Sequence, residues 1–278
     1  MRAGLALMVL GAAAAAGGAA GAATRVEVSQ AVARVTVLPE DRADVVVDLV
    51  RANPRLPLSI ARVGDTVRVQ GRVGGWGTNC HAWLGRPSVH VWGVGDVRWD
   101  DMPQIVVHAP RDVRVGAGGA VFGVIGRSAS VDLAVSGCGD WTVADTAGKM
   151  RLGLSGSGDV RAGAAGATEV HVAGAGDVFL RRVDGGLSSA TSGSGDVTVG
   201  QVNGPLGVRI SGSGDFRGHG GQVTDMEVSI AGSGDASFAG VAQSLNASVA
   251  GSGDVTVAQV TGPVSKHVAG SGDVHVGH

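Results

Sequence analysis

A tetrapeptide, Gly-x-Gly-Asp, recurs through the second half of the sequence at a nearly constant interval. Successive copies are 18 to 20 residues apart, and they end at Asp140, Asp159, Asp177, Asp196, Asp215, Asp235, Asp254 and Asp273. Most copies have Ser or Ala at the second position. Copies at such a steady spacing indicate an array of similar structural units rather than one irregular core.

Each unit contains two short runs of alternating apolar residues that are separated by a turn signal. In one unit, the alternating residues lie on both sides of Asn203-Gly204-Pro205: Val197, Val199, Leu206, Val208 and Ile210. Alternation with a period of two is typical of strands, and an Asn-Gly-Pro step is typical of a turn. The units contain no helical pattern.

Two strands and two turns in about 19 residues predict an all-β fold, a parallel and right-handed β-helix or solenoid. A single coil cannot bury its apolar residues, so the coils stack about 4.8 Å apart. An antiparallel sandwich also accepts short strands, but it requires no fixed repeat. Glycine at the corners of each coil would supply positive φ angles and allow close backbone approach.

The composition excludes several other classes of protein. Glycine accounts for 49 of the 278 residues, but not in the third-residue pattern of collagen. Hydrophobic residues make up 44% of the chain and the net charge is -2, which argues against a disordered chain and against a nucleic-acid binder.

The chain divides into three segments. Residues 1–23 resemble a signal peptide, because Arg2 precedes an apolar run that ends in small residues. The alternative is a permanent membrane anchor, although Ala and Gly are weak membrane formers. We expect an exported protein, periplasmic, at the cell surface or secreted, with no membrane span in the mature chain. Residues 24–110 predict a β-rich segment that caps the N-terminal end of the solenoid, and residues 111–278 predict the solenoid itself.

The segment before the repeats contains most of the tryptophan. A loop-like stretch holds Arg86 and four of the five tryptophans, Trp76, Trp83, Trp92 and Trp99. Exposed Trp beside Arg would form a surface for binding a sugar or a partner. The alternative is that these rings pack over the end of the core.

Cys80 and Cys138 are the only cysteines. An oxidising compartment would permit a disulfide between them, and closing a loop of that length would stabilise the fold by about 4 kcal/mol. The alternative is two unrelated small buried residues.

In a stack in register, the eight aspartates would form a ladder along one edge. Carboxylates about 5 Å apart repel each other, so each one needs a compensating contact. Hydrogen bonds from nearby backbone N–H groups are one such contact, and calcium bound between carboxylates is the alternative. We expect no other cofactor, and the scattered histidines predict no metal site.

The repeated Gly-Ser-Gly-Asp-Val, after an apolar N-terminus and a β-rich segment, resembles the family described as putative auto-transporter adhesin, head GIN domain. The resemblance runs from about Val26 to the end of the sequence. It implies a β-solenoid of the bacterial envelope or exterior with an adhesive role, and it brings no catalytic residues. The Trp-rich stretch with Cys80, and Cys138 in place of Ser or Ala, depart from the family pattern.

We therefore expect a non-enzymatic envelope protein that binds an unidentified protein or surface polymer. The alternatives are a purely structural scaffold and a polysaccharide-active β-helix enzyme, but the basic residues of the repeats form no single column. The sequence ends five residues after Asp273 without an obvious cap or a translocation barrel. We accordingly expect the last coil to be covered by self-association or by a partner.

Overall fold

The computed structural model describes residues 24–73, 78–83 and 86–277, and 69% of these residues lie in β-strands. The expected signal segment, residues 1–23, lies outside the described residues. The first part of the chain contains β1 (Arg25–Glu40), β2 (Val46–Arg51), β3 (Ser59–Val63), β4 (Thr66–Gln70), β5 (Thr78–Trp83), β6 (Arg86–Val91), β7 (Gly95–Arg98), a short 3₁₀ helix (Trp99–Asp101) and β8 (Gln104–Pro110).

The repeat region contains fifteen further strands. They are β9 (Asp112–Ile125), β10 (Ser130–Gly137), β11 (Trp141–Val143), β12 (Met150–Leu154), β13 (Val160–Ala165), β14 (Thr168–Val172), β15 (Val178–Val183), β16 (Leu187–Thr191), β17 (Val197–Gly212), β18 (Phe216–Gly218), β19 (Gly221–Gly232), β20 (Ala236–Gly251), β21 (Val255–Val260), β22 (Val264–Gly270) and β23 (Val274–Val276). No helix in the described part of the chain is long and apolar enough to cross a membrane.

The predicted parallel β-solenoid is confirmed, with about nine turns that lie about 19 residues apart. Each coil contributes a strand to two faces. Face A holds the strands that lead into the Gly-x-Gly-Asp turn, such as β10, β12, β14 and β16, and face B holds the strands that follow it, such as β11, β13 and β15. We call the line of Gly-x-Gly-Asp turns the motif edge, and the line of turns between face B and face A the opposite edge.

The core is a set of apolar columns inside the coils. In the coil after Asp196, six inward side chains are at most 2% exposed: Val197, Val199, Val202, Leu206, Val208 and Ile210. Parallel register places each of them over its equivalent in the next coil, for example Val197 over Phe216. The buried columns form one continuous cluster from Val26 to Val274.

The stack begins before the first motif. β1 pairs in parallel with β9 on one side, and with β4 and β8 on the other. β3 and β2 then pair antiparallel with β4 and β8 at the N-terminal end. The β-rich N-terminal segment thus adds two levels to the stack and also covers its N-terminal end. The parallel pairing of β1 with β9 joins the two sides of the expected boundary between residues 110 and 111.

Both glycines of each motif lie close to the preceding coil, since a Cβ at Gly193, a first glycine, would also lie 2.3 Å from the carbonyl oxygen of Gly174. The first has φ between +146° and +155° in five copies, at Gly193, Gly212, Gly232, Gly251 and Gly270. The second lies against the preceding coil: a Cβ at Gly195 would lie 2.2 Å from the carbonyl oxygen of Gly176. The same contact recurs at Gly214, against the carbonyl oxygen of Gly195.

The C-terminal end of the stack exposes part of its core. Val264 and Val268 on β22 are 42% and 41% exposed, although they continue buried columns. Lys266 continues the column of Ala247, and its Nζ donates a hydrogen bond of 2.6 Å to the carbonyl oxygen of Val274. The covering of this coil by self-association or by a partner stays a prediction.

Replacing Gly195 with Ala should destabilise the protein by about 2–4 kcal/mol, because a Cβ would overlap the backbone of the previous coil. Gly207→Ala is the matched control, since a Cβ at Gly207 meets nothing within 4 Å. The control should change the free energy of unfolding by about 0.5 kcal/mol or less. Chemical denaturation measures both variants, and equal stability of the two would contradict this account.

Candidate functional site: a hairpin anchored on the motif edge

The aspartates of the motif form a ladder of hydrogen bonds along the motif edge. Each Oδ1 accepts a hydrogen bond from the backbone N–H of the aspartate one coil later, at 2.8 to 3.1 Å, from Asp140 through Asp254. Asp273, the last member, accepts from the N–H of Val274 instead. The ladder therefore joins neighbouring coils outside the apolar core.

Arg217 links two neighbouring aspartates of the ladder. Arg217 on β18 donates a hydrogen bond of 2.7 Å to Asp196 and another to Asp215. The contact with Asp196 raises the pKa of the Arg217 guanidinium. In the described part of the chain, no three His, Cys, Asp or Glu side chains are grouped to hold a metal ion. Calcium binding by the ladder stays a prediction, which a calcium titration of the melting temperature tests.

Replacing Asp235 with Ala should lower the free energy of unfolding by about 1–2 kcal/mol, because the N–H of Asp254 loses its acceptor. Asp235→Asn is the control, since an amide oxygen still accepts this hydrogen bond. The Asn variant should lose clearly less stability than the Ala variant in urea denaturation. A larger loss in the Asn variant would show that the charge, and not the hydrogen bond, matters.

A small antiparallel sheet interrupts the motif edge near the N-terminal end. β5, β6 and β7 form this sheet, which with the 3₁₀ helix we call the flap. The flap lies in the chain between β4 on face A and β8 on face B. It therefore occupies the place that a Gly-x-Gly-Asp turn takes in later coils.

The flap docks where the motif is absent. The strand register aligns the tetrapeptide Gly119-Ala120-Val121-Phe122 with the motif of the next coil, because Gly137 pairs with Gly119 and Trp141 with Gly123. Phe122 thus stands in the aspartate column. It is 4% exposed and packs with Val32, Ala120 and flap residues in a second apolar cluster. An apolar ring replaces a carboxylate where the flap covers the edge.

A disulfide between Cys80 and Cys138 fastens the flap to the stack. Cys80 lies on β5, and Cys138 occupies the second position of the first complete motif. The Cα atoms are 5.9 Å apart. The one motif with Cys in place of Ser or Ala therefore belongs to the coil to which the flap is linked.

The turn between β6 and β7 presents a tryptophan to solvent. Trp92 is 86% exposed, and the turn is closed by a hydrogen bond of 3.0 Å from the N–H of Val94 to the carbonyl oxygen of Val91. Arg55 donates to the carbonyl oxygen of Val94 at 3.2 Å. His90 and Asp96 pair at 2.7 Å on the adjoining strands. These hydrogen bonds fix the conformation of the turn, and the indole of Trp92 on it is exposed to solvent.

The other predicted binding residues do not join Trp92 in one surface. Trp99 is partly buried, with its ring edge-on to Phe122 at 5.5 Å and 5.1 Å from the guanidinium of Arg34. Trp76 lies outside the described residues. Trp83 and Arg86 pair at the ends of β5 and β6, and their side chains are outside the described part. Trp99 therefore packs against other side chains, whereas the Trp92 side chain is exposed and available for binding.

Replacing Cys138 with Ser restores the common motif and removes the disulfide. We expect a loss of about 2–4 kcal/mol in stability and faster proteolysis between residues 74 and 98, because the flap loses its covalent anchor. Ser194→Ala is the control, since Ala occupies this motif position at Ala175. Limited proteolysis with mass spectrometry locates the cuts, and unchanged protection of the flap would refute its dependence on the disulfide.

Comparison with known proteins supports the resemblance seen in the sequence. Residues 184–277 match the family described as putative auto-transporter adhesin, head GIN domain. A putative adhesin from Bacteroides fragilis NCTC 9343 is similar in structure, at 12% identity over 91% of this chain and 92% of that chain, with a TM-score of 0.39. A putative lipid binding protein from Parabacteroides distasonis ATCC 8503 has 17% identity over 92% of both chains, with a TM-score of 0.42. A search of the curated proteins found no match.

Proposed function

We propose that this chain, whose residues 184–277 match the head GIN domain of putative auto-transporter adhesins, is a non-enzymatic, adhesin-like protein of the cell envelope. Its ligand is a protein or a surface polymer that contacts the tip of the flap. The solenoid then serves as the rigid body that carries this tip.

The exposure of Trp92 carries the proposal. Tryptophan offers a large apolar face and one N–H donor, and it is enriched among the residues that contribute most to binding. An indole left 86% exposed forgoes the free energy of burial that a partner would provide. Because the turn is already fixed, little conformational entropy is lost on binding.

Export is part of the proposal. The disulfide between Cys80 and Cys138 favours an oxidising compartment, as expected for a periplasmic, surface-bound or secreted protein. The apolar residues 1–23 would then serve as the export signal.

A glycan array and a panel of immobilised envelope polysaccharides and envelope proteins test the proposal with the full mature chain. Trp92→Ala should weaken binding to the recognised polymer by about tenfold or more. Phe179→Ala is the matched control, because it removes an exposed ring from β15 on face B. Its affinity should stay within about twofold of wild type.

Three results would contradict the proposal. Equal affinity of wild type and Trp92→Ala would exclude the flap tip as the contact. Binding to none of the polymers or envelope proteins offered would favour the purely structural scaffold. Release of shortened products from a polysaccharide would favour the β-helix enzyme.

A further inference from the structure

A groove of ≈ 390 Å³ on face A collects basic side chains from distant parts of the sequence. Its lining includes four cations, Arg25, Arg114, Lys149 and Arg151, and two carboxylates, Asp65 and Asp132. The groove is therefore positively charged, whereas the whole chain has a net charge of -2.

Register explains why these side chains meet. Arg114 pairs with Asp132, and Asp132 pairs with Arg151, on successive coils. Arg25 directly precedes Val26, which pairs with Val115, so Arg25 lies one level from Arg114. The four levels from Arg25 to Arg151 span about 14 Å at the spacing of neighbouring strands.

Three of the four cations of this groove differ from most arginines elsewhere, whereas the fourth, Arg151, pairs with Glu169 at 3.0 Å. Many arginines outside the groove lie within salt-bridge distance of a carboxylate: Arg42, Arg68, Arg111, Arg161, Arg181, Arg182, Arg209 and Arg217. Within the described residues, the side chains of Arg25, Arg114 and Lys149 make no hydrogen bond or ion pair. Their N–H donors are available to an incoming anion.

We propose that this groove binds the carboxylate of an acidic sugar in a polysaccharide. The guanidinium of Arg114 and the ammonium of Lys149 match a carboxylate in charge and in donors. Asp132 stands between Arg114 and Arg151, and Asp65 also lines the groove. These oxygens accept hydrogen bonds from sugar hydroxyls.

Because the groove holds carboxylates as well as cations, it favours an acidic sugar over a simple anion. A phosphate group brings negative charge but few donors, and Asp132 and Asp65 would repel it. A uronic acid carries one carboxylate for the cations and several hydroxyls for the carboxylates. The inference is independent of the flap, because none of the groove residues belongs to it.

Calorimetry of the full mature chain with oligogalacturonate tests the site. Arg114→Gln combined with Lys149→Gln should weaken binding by about tenfold or more, since two charge-assisted contacts are lost. Arg181→Gln combined with Arg182→Gln removes the same charge from arginines that already have carboxylate partners, at Asp145 and Asp184. This control should bind within about twofold of wild type.

The outcomes separate this site from its alternatives. Equal weakening in both double variants would reduce the effect to net charge and overturn the proposal. Binding of inorganic phosphate or polyphosphate as tight as that of oligogalacturonate would make it a phosphate site, and no binding by wild type would remove it. Trp92→Ala should retain oligogalacturonate binding, so failure of the flap proposal leaves this one standing. Melting temperatures of all variants confirm that each is folded.

Discussion

The backbone contact between glycines of successive coils sets the geometry of the motif edge. The second glycine of each motif lies so close to the carbonyl of its predecessor that a Cβ would come within 2.2 Å at Gly195 and 2.1 Å at Gly234. This approach lets the turn nest against the turn before it, and it brings each aspartate within reach of the next aspartate N–H. The apolar columns then continue in register through the stack, because the turns fix the phase of every coil.

The same constraint explains where the molecule departs from its repeat. At the first levels, Val121 and Phe122 stand in the places of the second glycine and the aspartate. Gly139 still lies against the carbonyl of Val121, but Phe122 has no carboxylate with which to extend the ladder. The flap covers those levels with apolar contacts, and Cys138 fastens it at the first coil that has the motif. The loss of the motif and the gain of a docked sheet are two consequences of one substitution pattern.

The sequence predicts the repeated part well because one spacing determines register, faces and inward residues together. It does not predict that β1 pairs with β9 on one side and with β4 and β8 on the other, since those levels lack the motif that would fix their register. Nor does the sequence predict the large rings in the core, Trp141, Phe216 and Phe238. Trp141 fits inside because the neighbouring coil has Gly123, where a Cβ would lie 2.3 Å from the indole, and Gly218 leaves similar room for Phe238.

The surfaces that could recognise a ligand follow from the same reasoning. In a solenoid, side chains far apart in sequence become neighbours through register, so this group of cations cannot be predicted without knowing the order of the levels. Arg25 and Arg114 are 89 positions apart, yet they lie on adjacent levels because β1 stacks directly on β9. The regular coils pair most of their arginines with carboxylates. On the first levels, the side chains of Arg25 and Arg114 make no ion pair within the described part of the chain, and Trp92 is 86% exposed. Both proposed recognition surfaces therefore lie near the end of the stack where the repeat is least regular.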